Sequence, residues 1–110
     1  MAQDSQSIFS IQADLCRAMG SALSQEIVYS LRKSPMSVND LSSAMGVSLS
    51  TVSRHLTILR NAGVVHGRRE GYRIFYSIAD PKIVQVCDLM REVLNAQFDK
   101  NSKLIDSFIE

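Results

Sequence analysis

A helix-turn-helix pattern followed by a basic hairpin constrains this chain more than any other feature. Residues 37–62 read SVNDLSSAMGVSLSTVSRHLTILRNA. Ser37 and Ser48 are favourable N-caps, each followed by apolar residues at helical spacing, and Gly46 supplies the turn between the two helices. A short helix, a glycine-containing turn and a second helix that begins with small polar residues are typical of a helix-turn-helix.

The residues after this motif predict a wing of two strands over residues 64–78, which read VVHGRREGYRIFYSI. The runs 64–69 and 72–78 alternate well enough for two paired strands. Glu70 and Gly71 lie at the expected turn of the hairpin, and arginines surround it.

Helices are predicted on both sides of this unit. Apolar residues recur at helical spacing over residues 5–19, 23–33 and 81–108, and Pro81 suits the first turn of the last helix. At 110 residues the chain is long enough for one domain. We therefore expect a single domain over residues 1–110, mostly α in an α+β arrangement: a winged helix-turn-helix with about five helices and a two-stranded β wing.

The charge distribution points to a polyanionic partner. The whole chain has a formal net charge of only +1, but residues 50–75 carry five arginines against one acidic residue, which gives +4. The flanking segments sum to −1 for residues 1–49 and to −2 for residues 76–110. Positive charge is therefore concentrated in the helix-turn-helix and the wing, where the phosphates of a nucleic acid would be met.

Other functional classes lack the sequence features that they require. No apolar run approaches the roughly 20 residues of a membrane span, and residues 1–10 lack the basic flank and apolar core of a secretory signal, so we expect a cytoplasmic protein with no membrane partner. Both histidines lie in the helix-turn-helix or the wing, and the chain has no nucleophile–base motif and no glycine-rich phosphate loop. These features argue against an enzyme.

Candidate DNA contacts lie at the start of the second helix of the motif and around the wing. Side chains near the N-terminus of a recognition helix reach base edges in the major groove, and short hydroxyl side chains let the helix approach closely. An arginine there pairs bidentately with guanine or binds a phosphate. The predicted contacts are Leu49, Ser50, Thr51, Ser53, Arg54 and His55 in the helix, and Arg68, Arg69 and Arg73 in the wing.

Each set of contacts also has a simpler interpretation. The helix residues could form only the solvated face of an amphipathic helix, and the arginines only a solvated hairpin. His55 could face a phosphate or lie against the preceding helix. A full helix-turn-helix followed by three arginines around one turn favours DNA contact for both sets.

With these motifs, the chain resembles the ArsR/SmtB family of bacterial winged-helix repressors over about residues 13–95. The segments that carry the resemblance are SLSTVSRHL at 48–56, LRNAGVV at 59–65 and RREGYRIFYSI at 68–78. The resemblance implies a homodimer that binds a double-stranded DNA operator with an imperfect inverted repeat. It also implies that no cofactor is required and that an inducer releases the repressor from its operator.

The resemblance carries over to particular residues. Leu49, Ser50, Ser53 and Arg54 match the family's base-contacting surface, although a glutamine is common where this chain has Leu49. The first and last helices form the dimer interface in the family. The apolar stripes of this chain predict that interface at Ile8, Ile11, Leu15, Ile83, Cys87, Met90 and Leu94.

This chain departs from the inducer sites of the family. Arsenic-type and cadmium-type members carry a Cys-Val-Cys-Asp-Leu-Cys box, where this chain has Ser-Val-Asn-Asp-Leu-Ser at residues 37–42. Zinc-type members use Asp and His ligands on the last helix. Here Asp80 remains, but Lys82 and Val93 occupy positions where ligands are needed, and no histidine follows residue 66. The paired cysteines of persulfide-sensing members fall at other positions.

Cys16 and Cys87 are the remaining candidates for an inducer site. Free cysteines are commonly small buried hydrophobic residues, and Cys87 lies on an apolar stripe. The other interpretation is a thiol site for a metalloid, a soft metal or an oxidant, although two thiolates are few ligands for a metal. The predicted function is a DNA-binding transcriptional repressor; the alternatives are a thiol-based metalloid or redox sensor and a winged-helix protein-interaction module.

Overall fold

The computed structural model describes residues 7–98, which form a winged helix-turn-helix and confirm the expected fold class. Parts of two predicted helices, residues 5–6 and 99–108, lie outside the described residues. The helices and strands in chain order are α1 (Ile8–Ala18), α2 (Ala22–Leu31), β1 (Met36–Ser37), α3 (Val38–Met45), α4 (Leu49–Asn61), β2 (Val65–Glu70), β3 (Arg73–Ile78) and α5 (Pro81–Gln97).

Local sequence sets the ends of the helix-turn-helix. Ser37 and Asp40 form a reciprocal capping box at α3: the Asp40 N–H donates to Ser37 Oγ, and the Ser37 N–H donates to Asp40 Oδ2, each over 3.1 Å. Gly46 ends α3 with φ = 67°, a left-handed conformation that favours glycine. Gly63, just past α4, also has a left-handed conformation, with φ = 81°. The helix-turn-helix therefore has the boundaries expected from its caps.

The sheet has one strand more than the sequence predicted. Strands β2 and β3 form the antiparallel hairpin of the wing, and β1 pairs with β3 on its other side. Strand β1 spans two residues, too few to show an alternating pattern in the sequence. The expected turn is also shifted by one residue, because Glu70 pairs with Arg73 and leaves Gly71 and Tyr72 between the strands.

The core fixes which face of α4 points outward. Val52, Leu56 and Leu59 of α4 are fully buried. They pack in one cluster with residues from α2, α3 and β2, so a Leu56→Ala substitution would cost about 2–5 kcal/mol of stability. The opposite face of α4 is therefore held toward solvent by the packing of the whole domain.

Helices α1 and α5 contribute little to this core. Helix α1 contains no buried residue, and α5 contains one, Cys87. Large apolar side chains of both helices face solvent in the single chain, with Ile8, Phe9 and Leu89 more than half exposed. No helix within the described residues is long and apolar enough to cross a membrane.

Candidate nucleic-acid interface

The outward face of α4 presents small polar side chains and one arginine. Ser50, Ser53, Arg54 and Thr57 are all exposed and share this face through their spacing of three and four residues. Leu49, in the first turn, is half exposed. These side chains form a continuous surface at the N-terminal half of the helix, which is the part that reaches base edges in the major groove.

Thr51, one of the predicted DNA contacts, takes part in the N-cap of α4. The Oγ of Ser48 accepts a hydrogen bond from the N–H of Thr51 at 3.3 Å and donates to Thr51 Oγ1 at 2.9 Å. Thr51 is only partly exposed. Its hydroxyl therefore stabilises the start of the helix and is a less accessible partner for DNA than the hydroxyls of Ser50 and Ser53.

His55 is oriented along its own helix. Its Nδ1 lies 3.0 Å from the backbone carbonyl oxygen of Thr51, and the residue is partly buried. A carbonyl oxygen only accepts, so Nδ1 donates in this contact, and Nε2 is left for a partner outside the helix. The phosphate contact of His55 stays a prediction.

Three arginines of the basic segment keep their charge unpaired. Among residues 7–98, Arg54, Arg60 and Arg69 make no ion pair and no side-chain hydrogen bond, and all three are exposed. Arg54 lies on the outward face of α4, Arg60 lies in the last turn of α4, and Arg69 lies on β2 of the wing. These guanidinium groups are free to meet phosphates or base edges without breaking an internal contact.

Two of the three predicted wing arginines have partners within the chain. Arg68 forms an ion pair with Glu70 across 2.6 Å, and both side chains are more than half exposed. Arg73 donates from Nη2 to Ser37 Oγ at 3.0 Å and lies 3.8 Å from Asp40 Oδ1. Its guanidinium also lies over the ring of Phe75, 5.1 Å from the centroid. Arg73 therefore links the wing to the start of the helix-turn-helix.

The capping box of α3 lowers the pKa of the Asp40 carboxyl group. The backbone N–H and the hydroxyl of Ser37 lower the pKa of Asp40; desolvation opposes them, and the guanidinium of Arg73 adds a smaller lowering effect. Asp40 is therefore ionised at neutral pH and offsets part of the positive charge of Arg73. Arg69 makes no such internal pair.

The two thiols lie in different environments. Cys16 on α1 is exposed, whereas Cys87 on α5 is 4% exposed and belongs to the core. Burial raises the pKa of the Cys87 thiol, with a smaller lowering effect from Arg91 and a smaller raising effect from Asp88. Among the described residues, no group of three or more His, Cys, Asp or Glu side chains is arranged to hold a metal ion.

The predicted dimer stripes divide into exposed and packed residues. Ile8, Ile11, Met90 and Leu94 are exposed, whereas Leu15 and Ile83 are partly buried against the core and Cys87 lies within it. The sequence prediction therefore included residues that pack inside one protomer. Further apolar residues of α1 and α5, at helical spacing to these stripes, are exposed as well: Phe9, Val86, Leu89 and Val93.

The sequence of the chain is similar to those of known bacterial regulatory proteins. A family model described as a bacterial regulatory protein of the arsR family matches residues 25–66. The HTH-type transcriptional regulator NmtR of Mycobacterium tuberculosis is 38% identical over 85 residues, which cover 77% of this chain and 70% of that protein. The HTH-type transcriptional repressor SmtB of the same organism is 37% identical over 79 residues, 72% of this chain but only 58% of SmtB.

A solved structure agrees with the sequence matches. A homodimeric winged helix-turn-helix DNA-binding domain from Mycobacterium bovis has a TM-score of 0.77 to this chain at 26% identity, with 84% of this chain and 86% of that one covered. The fold, the position of the helix-turn-helix and the sequence matches all agree with the resemblance seen in the sequence. The chain belongs to the arsR family of bacterial regulatory proteins and is a winged helix-turn-helix transcriptional regulator.

Proposed function

We propose that this chain is a homodimeric repressor that binds a double-stranded DNA operator with an imperfect inverted repeat. It needs no cofactor, performs no catalysis and leaves the operator when an inducer binds. Helix α4 enters the major groove, and the wing follows the adjoining backbone and minor groove. The protein acts in the cytoplasm, where bacterial promoters lie.

The outward face of α4 is the observation that carries this proposal. Arg54 projects from that face without an internal partner, and it shares the face with the exposed hydroxyls of Ser50 and Ser53. A guanidinium in this position pairs bidentately with guanine, and the short serines let the helix backbone approach the base pairs. Arg69 on the wing adds a second unpaired positive charge, so one protein surface can meet both bases and phosphates.

The exposed apolar faces of α1 and α5 support a dimer. Isolated apolar residues are common on protein surfaces, but large exposed ones that recur along both α1 and α5 mark an interaction site. SmtB is named a repressor and the Mycobacterium bovis domain is homodimeric, which supports the same assembly and role here. A two-fold axis would place the two α4 helices in successive major grooves, about 34 Å apart, and would explain an inverted repeat.

Selection of bound duplexes from a random pool tests the proposal. We expect enrichment of an inverted repeat with half-site centres one helical turn apart, bound by one dimer. The affinity should fall steeply with salt, since each phosphate neutralised contributes a slope of about 0.9 in log K against log salt. Recovery of no preferred sequence, together with a salt-independent affinity for a protein partner, would favour the protein-interaction module instead.

If the inducer is a thiophile, Cys16 is the residue that binds it or reacts with it. Cys87 is buried and its raised pKa keeps it in the thiol form, which neither binds a metal nor reacts readily. Cys16 is exposed and can recruit the second Cys16 of a dimer if the two-fold axis brings them together. A thiol-based metalloid or redox sensor therefore remains the alternative, with Cys16 as its first ligand or reactive group.

A further inference from the structure

Tyr72 at the tip of the wing is the most exposed of the large hydrophobic side chains among the described residues. Its exposed fraction is 93%, against 77% for Phe9 and 67% for Ile8 on α1. Those two residues belong to the face that we propose to be covered by a second protomer. Tyr72 lies on the wing instead, so the dimer proposal gives no reason for its exposure.

The hairpin turn does not require a tyrosine. Gly71 has φ = 66°, and no non-glycine residue between residues 7 and 98 has positive φ, which is the pattern of a type II′ turn with glycine first. The second position of such a turn accepts small polar residues, and polar residues predominate in turns generally. Tyr72 makes no hydrogen bond or ring contact with residues 7–98. A reason for the aromatic ring must therefore lie outside the protomer.

The surroundings of Tyr72 suit a polyanion. Three arginines and one glutamate stand in the six residues from 68 to 73, a formal charge of +2, and Arg69 has no acidic partner within the described chain. An open groove of about 600 Å³ separates Tyr72 from the first turn of α3, and its lining mixes the polar Ser37 and Asn39 with the apolar Val38 and Ile74. A sugar–phosphate strand has the same mixture of charge and apolar surface.

The contact between Arg73 and the α3 cap holds the tip in position. The guanidinium that follows Tyr72 in the chain is bonded to Ser37 Oγ and faces Asp40. The wing is therefore attached to the helix-turn-helix at the residue next to Tyr72. A side chain at such a tip approaches DNA at a fixed distance from α4, which a mobile hairpin would not provide.

We propose that Tyr72 enters the minor groove beside the major groove that holds α4 and reads its width. The ring packs against the deoxyribose walls, and the hydroxyl donates to a phosphate. The minor groove of A·T-rich DNA is narrow, so the ring contacts both of its walls there. Tyr72 is then a specificity determinant at base pairs that α4 does not touch. The inference rests on the proposed DNA binding.

Three substitutions at this position test the inference on the full chain with its selected operator. Tyr72→Ala should weaken binding about tenfold, the effect of losing one aromatic contact from an interface, with an unchanged salt slope because no charge is removed. Selection with Tyr72→Ala should lose the base preference at the flanking positions and keep the preference under α4. Tyr72→Phe should retain the flanking preference, since the ring remains.

A tryptophan at the tip gives a readout that is independent of affinity. The chain contains no tryptophan, so Tyr72→Trp introduces a single fluorescent reporter. Its emission should change on titration with operator and saturate at one dimer per operator. As a control, Tyr29→Ala removes the other exposed tyrosine, which is on α2 beside Arg32, and should leave the flanking preference unchanged.

Several results would overturn the inference while leaving the proposed function intact. Equal affinity and an unchanged flanking preference for Tyr72→Ala would show that DNA does not contact the ring. An equal loss on operator and random DNA would show a contact that reads no sequence. A fluorescence change that follows protein concentration without DNA would place the tip against a second copy. Failure of the parent protein to select any DNA would instead refute the proposed function.

Discussion

Arg73 of the wing and Ser37 at the start of α3 are joined by a hydrogen bond of 3.0 Å, although 36 positions separate them in the chain. The same guanidinium lies 3.8 Å from Asp40, the second member of the α3 capping box. Strand β1 brings the two segments together, because Ser37 pairs with Phe75 across the sheet. The orientation of the wing is therefore coupled to the helix that begins the helix-turn-helix.

This contact gives the arginines of the wing different expected roles. Arg69→Ala should weaken specific and non-specific DNA binding alike and lower the salt slope by about 0.9, since it removes one phosphate contact. Arg73→Ala should weaken operator binding with little change in salt slope, because it releases the wing from α3. The ion pair between Arg73 and Asp40 is itself solvent-exposed, so it should contribute little to stability. Equal changes in slope for both variants, measured by fluorescence anisotropy, would contradict this distinction.

Arg54→Ala tests base contact by α4. The substitution should cost about 1–3 kcal/mol of operator binding, roughly 5- to 150-fold in affinity, if the guanidinium pairs with a base. The base preference at one position of each half-site should relax at the same time. Lys82→Ala, which removes a positive charge from α5, is the matched control and should change neither property. Unaltered affinity of the Arg54 variant for the selected operator would refute the assignment.

Met90→Asp tests the proposed dimer. Met90 is 44% exposed in the single chain, so the protomer should tolerate the carboxylate, whereas an interface would have to bury it without a partner. We expect monomers at micromolar concentration and loss of operator binding, with an unchanged circular dichroism spectrum. Gln85→Asp places the same charge on another, polar face of α5 and should leave the dimer intact. Sedimentation that shows a monomeric parent protein would reject the interface.

Local features explain why most of the fold was predictable from the sequence. The capping box of Ser37 and Asp40, the cap at Ser48 and the left-handed Gly46 and Gly63 are short-range signals, and they gave α3 and α4 their observed boundaries. The buried stripe of α4 followed from helical spacing alone. In each of these caps and helix ends, the interacting groups lie within four residues of each other in the chain.

Long-range contacts explain what could not be predicted. The pairing of β1 depends on a strand 38 to 40 positions away, and the partner of Arg73 depends on that pairing. The sequence showed that Cys87 was apolar in context but not whether it faced its own core or a second protomer. Tyr72 was overlooked as a site residue because an aromatic residue in a strand pattern normally packs inward, and only the register placed it in the turn.

The two cysteines should differ in reactivity toward a maleimide. Cys16 should be labelled in the native protein, whereas Cys87 should react only after unfolding, because it is buried and its raised pKa leaves little thiolate at neutral pH. If a thiophile is the inducer, Cys16→Ser should bind the operator normally and ignore arsenite, cadmium and peroxide. Rapid native labelling of Cys87, located by mass spectrometry of Cys16→Ser, would contradict its assignment to the core.

Asp40 should make part of the stability of the protein sensitive to acid. Its folded pKa is lowered from the ordinary value of 3.8 by the hydrogen bonds from Ser37, with a further contribution from Arg73. A carboxyl group whose pKa is lower in the folded protein stabilises the fold fully when the pH is above its pKa in the unfolded chain. This stabilisation is lost as the pH falls through its pKa in the folded protein. The difference in free energy of unfolding between the parent and Asp40→Asn should therefore be constant from about pH 5 to 7 and shrink below pH 3.8. Denaturant titrations at each pH measure this difference, and one that stayed constant into the acid range would show that the carboxylate does not hold the α3 cap.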